Sequence, residues 1–252
     1  MDIRIEKLIG EGATAKIYRN GNFVTKVYRN ASAVNVNQEM RHQQFAYHSG
    51  LPVPNVYTVR RLDDGGIALD MQYIDGLPLM NDDMSVAELA ATINILVELQ
   101  YKIHQVQAPA LPKLVDTITD KILSTSLEKE LKNELLTLLS QLDDQSEHLC
   151  HGDFHPFNIL DDGVQHWIID WVDAAAGNPL ADSCRTYLIM KPQAEALAEL
   201  YLQILCAEAG YQPSDILKWQ PVIAAARLNE NIDDLSRAYL HDLVQVWYEG
   251  LG

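Results

Sequence analysis

Residues 151–160 read HGDFHPFNIL, with Asp153 between His151 and His155, and with Asn158 just before the chain turns apolar. Three chemistries can begin from such a set. A His-x-Asp-x-His cluster can ligate a metal, but an extended loop does not put the two histidines on one face as an H-E-x-x-H helix does, and no third ligand pattern stands out. A hydrolase needs a Ser or Cys nucleophile on a strand–turn–helix elbow. Cys150 precedes the stretch in HLCHGD, which forms no such elbow. Phosphoryl transfer uses more of the residues. Asp153 would accept a proton from an attacking hydroxyl, and Asn158 would offer its amide oxygen to Mg²⁺. Asp170, folded back beside Asn158 by a hairpin, would add a charged oxygen. Hard oxygen ligands are what Mg²⁺ prefers.

Such chemistry also needs a group for the phosphates. Lys26 lies in FVTKVY and shares a strand face with Val24 and Tyr28. It is either a surface lysine with an apolar stem or a lysine that grips phosphate oxygens, and the second role requires a carboxylate to hold it. Between Lys26 and Asp63 only Glu39 qualifies. Upstream, Gly10 and Gly12 in GEGATA would let backbone N–H groups approach phosphates. The signal is not distinctive by itself. A strand rather than a helix follows, which excludes the dinucleotide fingerprint, and no Gly-Lys-Ser/Thr follows, which excludes a Walker A loop.

The elements that must position these residues are legible in outline. IRIEKLI and NFVTKVY alternate as strands, with Arg19-Asn20-Gly21-Asn22 as a hairpin turn before the second. Ser32 is a candidate N-cap for a helix over 33–49, stopped by Gly50 and LPVP. NVYTVRRL and GIALDMQYI are two more strands around Asp63-Asp64-Gly65-Gly66. Beyond IDGLPL the pattern becomes helical. A capping box at Ser85–Glu88 opens a helix to about Gln107, and a second helical stretch spans about Val115 to Glu147. NILDDGVQHWIIDW is a short hairpin turning at Asp162-Gly163, and helices fill the rest from about Asp182. The expected fold is α+β and bilobal. Residues 1–75 make a small β-rich nucleotide-binding lobe with one main helix. Residues 76–252 make a larger, mainly helical lobe with the catalytic loop and the acceptor site.

Composition narrows the partners. The 252 residues are 48% hydrophobic and 21% charged, as in ordinary globular chains. With 19 basic against 35 acidic residues the formal charge is −16, which argues against nucleic acid or an anionic membrane as partner. Three cysteines at Cys150, Cys184 and Cys206 have no metal-type spacing and suit a reducing compartment. No apolar leader region and no membrane-length apolar run are seen, so a cytoplasmic protein is expected. The sequence carries no signature of an oligomeric state.

The motifs together resemble a family. Gly10/Gly12, Lys26, Glu39, His151-Gly152-Asp153…Asn158 and Asp170 follow the order of the protein-kinase-like fold. HGDFHPFNIL closely resembles the HGD-L-H-P-x-N-(I/L)-L signature of the aminoglycoside phosphotransferase / choline kinase family. IIDWVDAAAGNPLADSCR resembles its I-D-(W/F)-x-x-A…G-(D/N)-P-x-x-D segment. GLPVPNVY, MQYIDGLPL and YKIHQV, with His104, resemble further stretches, so the likeness runs from about Leu8 to Arg185. It implies Asp153 as the base that orients the acceptor hydroxyl and Asn158 and Asp170 as Mg²⁺ ligands. It further implies Lys26, paired with Glu39, as the phosphate lysine, and Gln72, Tyr73 and Ile74 as the linker whose backbone receives the purine of ATP or GTP. Asp182 resembles the family's structural aspartate, and also reads as an N-cap for ADSCRTYLIM.

Departures bear on the acceptor. Ala15 replaces a loop glycine, Phe157 stands where a small residue is usual, and His155 holds the position where protein kinases often carry Lys. The span from Asp170 to Asp182 is too short for an activation segment and no Ala-Pro-Glu follows, which favours a small hydroxylated acceptor over a protein. A cationic acceptor, aminoglycoside-like or choline-like, would suit the acidic balance. Glu230, Asp233 and Asp234 are candidates to line its site, with His155 and Phe157 nearer the base. Each acidic candidate reads equally as part of a solvated helix face. The expected activity is transfer of a nucleotide γ-phosphoryl to a small-molecule hydroxyl. The alternative is a degenerate, non-catalytic nucleotide-binding module acting through a partner. Such modules usually lose the base, a metal ligand or the lysine, and here all are present.

Overall fold

The structure, a computed structural model, describes residues 7–12, 15–28 and 32–251. Residues 3–6 of the first expected strand, and Ala13 and Thr14 of the glycine stretch, lie outside the described residues. The chain forms two compact units. One comprises Met1–Leu79 with Phe157–Asp173, the other Met80–Pro156 with Ala174–Gly252.

In the first unit β1 (Lys7–Glu11), β2 (Ala15–Asn20) and β3 (Phe23–Tyr28) precede α1 (Ala33–His48), and β4 (Val56–Arg61) and β5 (Ile67–Gln72) follow it. The five strands make one antiparallel sheet in the order β1-β2-β3-β5-β4. Ser32 caps α1 by accepting the Asn35 N–H, as its sequence position suggested. The helix packs on β4 and β5 through a core of Val36, Val56, Ile67 and Leu69, joined by Tyr28 and Ala15. Leu77–Pro78 then forms β6.

The second unit continues with α2 (Val86–His104), α3 (Leu114–Leu123), α4 (Lys129–Leu142) and β7 (His148–Cys150). The Ser85–Glu88 capping box opens α2. The helical stretch expected over about 115–147 consists of two helices, α3 and α4. Ser124 and Thr125 turn their hydroxyls onto the carbonyls of Asp120 and Ile122, and Lys132 takes those of Leu123 and Thr125. Side chains that satisfy carbonyls locally remove the gain from continuing the helix.

The chain then returns to the first unit for β8 (Ile159–Asp161) and β9 (His166–Ile168), the hairpin expected from Asp162-Gly163, which pairs with β6. β10 (Ala175–Gly177) pairs with β7 in the second unit. There follow α5 (Pro179–Met190), α6 (Glu195–Ala209), α7 (Pro213–Leu217), α8 (Gln220–Arg227) and α9 (Asp234–Glu249). α5 and α8 are buried nearly all round, as helices inside a bundle are. The others turn an apolar stripe inward, such as Leu131, Leu135 and Leu139 of α4. No described helix is long and apolar enough to cross a membrane.

Candidate active site

In the first unit the expected phosphate lysine is held from two sides. Lys26 Nζ lies 2.7 Å from Glu39 Oε1 and 3.0 Å from Asp170 Oδ1, a residue 144 positions further along the chain. Tyr28 donates its hydroxyl to the other Glu39 oxygen. Glu39 is therefore no solvated helix residue. It is buried and bound by Lys26 and Tyr28, the two polar side chains of the β3 face that the strand alternation had singled out. Burial alone would lower the lysine's pKa. The carboxylates of Asp170 and Glu39 outweigh it and raise the pKa, so the ammonium stays charged.

Asp170 sits at φ +65°, in the left-handed region that only a few side chains tolerate. It follows Ile169, whose N–H donates to Asn158 O at 3.0 Å. The β8–β9 hairpin thus brings the backbones at Asn158 and Asp170 to neighbouring positions. Asn158 is buried, whereas the Asp170 side chain is 43% exposed. A carboxylate and an amide oxygen suit Mg²⁺, which completes its shell with water and phosphate. Among the described residues no group of three or more His, Cys, Asp and Glu could hold a metal by itself.

The expected linker is partly engaged. The Gln72 N–H donates to Asn55 O and the Tyr73 N–H to Asn22 O, so neither is available to a purine. The Asn55 N–H goes to the side-chain oxygen of Gln72 instead of its carbonyl. Tyr73 also stacks under Arg19, 3.9 Å from the ring centroid. Gly10 lies within β1, and the Gly12 N–H bonds Ala15 O.

In the second unit the residues of the expected catalytic loop are held one after another from α5. Asp182 accepts the N–H of His151 at 3.3 Å and of Gly152 at 2.9 Å. Arg185 Nη2 lies 3.3 Å from Asp153 Oδ1, and Thr186 donates to Phe154 O at 2.9 Å. Residues 182, 185 and 186 share a helix face. Gly152 at φ +80° supplies the turn that presents Asp153. His151 is fully buried, accepts the Asp153 N–H and stands edge-on to Phe154, so it shapes the loop. His155 Nε2 lies 3.5 Å from Asp153 Oδ2. Burial alone would raise the Asp153 pKa, but the hydrogen bond with His155 and the charges of Arg185, His155 and His151 hold it well below the usual carboxylate range.

Asp182 is not the N-cap of its own helix. Asn178 caps α5 by accepting the Leu180 N–H, and Pro179 opens the helix. Asp182 is buried in the first turn, where it also meets His104 Nε2 at 2.9 Å and Gln100 Nε2 at 3.2 Å. Burial alone would raise its pKa, but the hydrogen bond and charge of His104, with the Gly152 N–H, lower it. Replacing Asp182 with alanine is expected to destabilise the protein by about 3–5 kcal/mol, because it strands several buried partners. The folded pKa lies below the unfolded one. The stability Asp182 supplies is therefore complete above about pH 4 and is lost as pH falls through the lowered folded value. Urea unfolding at neutral pH and on the acid limb should show the wild type losing this advantage only on the acid side.

The acceptor candidates divide. Glu230 lies 2.6 Å from Arg185, 3.0 Å from Lys121 and 3.4 Å from Arg227. It is neither solvated nor simply acidic, since three cations answer its charge. Asp233 is the N-cap of α9 and accepts from Ser236 and Gln193, while Asp234 is exposed in the first turn. Phe157, in the first unit, is 54% exposed. Arg185, Thr186 and Lys121 were not singled out in the sequence. The only signal for the first two was their spacing from Asp182.

Comparisons with known proteins place the chain in a family and show its fold. A family model described as a phosphotransferase enzyme family, APH, matches residues 6–217. A thermostable variant of aminoglycoside phosphotransferase APH(4)-Ia, solved with AMP-PNP and hygromycin B, is 17% identical over 95% of this chain and 91% of its own, with a TM-score of 0.69. The GDP complex of aminoglycoside 2'-phosphotransferase-IIIa is 18% identical over 97% and 93%, with a TM-score of 0.64. APH(3'')-Id from Streptomyces rimosus, solved with ADP and streptomycin, is 18% identical over 84% and 92%, with a TM-score of 0.61. No curated protein sequence matches significantly. These likenesses confirm the bilobal, protein-kinase-like α+β fold, and with the family match across most of its length the chain belongs to the phosphotransferase enzyme family.

Proposed function

We propose that the protein transfers the γ-phosphoryl group of ATP or GTP to a hydroxyl of a small molecule, in a Mg²⁺-dependent reaction. The observation that carries this reading is Lys26 held between Glu39 and Asp170, a charged lysine fixed beside a carboxylate with an exposed oxygen face. Lys26 would bind phosphate oxygens, with the backbone near Gly10 and Gly12 closing over them. Asn158 and Asp170 would hold Mg²⁺, which when bound neutralises charge on the phosphate oxygens. The main chain from Gln72 to Ile74 would receive the purine through groups other than the Gln72 and Tyr73 N–H, which are engaged within the sheet. Asp153 orients the acceptor hydroxyl and takes its proton, and Arg185 and His155 fix the carboxylate that does so.

Solved relatives bind AMP-PNP or ADP in two cases and GDP in a third, so both purines belong in the test. The acceptor is a small hydroxylated molecule. Support for a positive charge on it comes from the overall balance of −16 and not from Glu230, which is engaged. Purified protein should consume ATP or GTP in the presence of one member of a panel of aminoglycosides, choline-like alcohols, sugars and nucleosides. Nucleotide with Mg²⁺ should raise the melting temperature, since a ligand of the native state stabilises it. Absence of both responses would overturn the reading.

A further inference from the structure

One buried histidine of the first unit has no part in the roles above. His42 lies three residues after Glu39 on the same face of α1 and is 3% exposed. Its Nδ1 is 3.2 Å from Trp171 O and 3.2 Å from Val172 O, the two carbonyls that follow Asp170. Both neighbours are acceptors, so Nδ1 carries the proton and shares it between them. Nε2 is buried and has no hydrogen-bond partner among the described residues. A histidine kept in this setting for packing alone could be replaced by an apolar side chain at little cost. Its one polar contact is with the turn that Asp170 opens.

That turn needs holding. Asp170 occupies the left-handed region at φ +65°, a conformation that persists in a non-glycine residue when its surroundings over-determine it. Lys26 fixes the side chain through Oδ1. His42 fixes the peptide units immediately downstream. Through Glu39 and His42, one helix face therefore sets both the direction of the Asp170 carboxylate and the backbone that carries it.

We infer that His42 is a positioning residue for the Asp170 carboxylate, whose single N–H locks the turn after Asp170 in the form that can ligate a divalent cation with nucleotide. The inference rests on the proposed role of Asp170. Residues that orient metal ligands typically matter 10–100-fold in metal affinity.

The test compares two substitutions of similar bulk and polarity. His42→Asn places an amide N–H near the position of Nδ1, whereas His42→Gln places it near Nε2, out of reach of the two carbonyls. Nucleotide binding is followed by calorimetry, with ATP or GTP, while Mg²⁺ is titrated and while it is absent. His42→Gln is expected to need about 10-fold more Mg²⁺, with Mg²⁺-free binding unchanged. His42→Asn should stay within about threefold of wild type. Equal Mg²⁺ requirements in His42→Gln and wild type would overturn the inference. So would an equal loss in both variants, or a loss in Mg²⁺-free binding of the same size, since these mark a merely structural role. If wild-type protein shows no Mg²⁺-dependent nucleotide binding at all, the proposed function fails first, and that result is separate from any difference between the variants.

Discussion

Replacing Asp153 with alanine should lower turnover on the true acceptor by at least 10²–10⁴-fold, the range in which a positioned base contributes. Nucleotide affinity should remain near wild type, because Lys26, the glycine stretch and the proposed Mg²⁺ ligands Asn158 and Asp170 all lie in the other compact unit. The structure adds a pH dependence. His155 and Arg185 hold the Asp153 carboxyl well below its ordinary range against the opposing effect of burial. The base therefore stays ionised as pH falls through the usual carboxylate range, and Asp153 itself should give the pH–rate profile no acid limb there. Removing Arg185 should bring such a limb toward neutral pH. Steady-state kinetics of the wild type and the Asp153→Ala variant, with nucleotide binding measured in parallel, decide the matter. Undiminished turnover in Asp153→Ala would mean that another group is the base.

The second large effect is expected at Asp170, and the choice of substitution matters. Alanine would both remove the carboxylate and strain the backbone at φ +65°. Asparagine tolerates that conformation, so Asp170→Asn isolates the loss of charge. It should abolish the Mg²⁺-dependent part of nucleotide binding while leaving Lys26 paired with Glu39. Nucleotide at a hundred times its Kd stabilises a native protein by about 2.7 kcal/mol. Most of that gain should vanish in Asp170→Asn, read as a melting temperature that no longer responds to adding Mg²⁺ to nucleotide. A full response would remove Asp170 from the metal site.

Much of this was legible in the sequence because the signals are local. HGDFHPFNIL, the Asp162-Gly163 turn, the Ser32 cap and the Ser85–Glu88 box each span only a few consecutive residues. Glu39 was found by elimination, since no other carboxylate was within reach of Lys26 in that segment. What stayed hidden depended on registers and partners distant in the chain. Asn178 and Asp182 are both good cap residues, and only the fold shows which one starts α5. That register decides that Arg185 and Thr186 face the catalytic loop. The commitment of Glu230 could not be read either, because its cations come from α3, α5 and α8. His42 looks like any polar residue of an amphipathic helix until the carbonyls at 171 and 172 are seen beside it.

The row of bonds from α5 to residues 151–154 has a mechanical consequence. Four consecutive loop residues are gauged against one turn of helix, so the helix works as a template whose pitch sets the loop's shape. Adding or deleting a single residue between 182 and 186 would rotate part of that template by about 100° and unseat the loop. Point changes are local, but length changes there are intolerable. For the same reason a shift of α5 would carry the backbone around Asp153 with it.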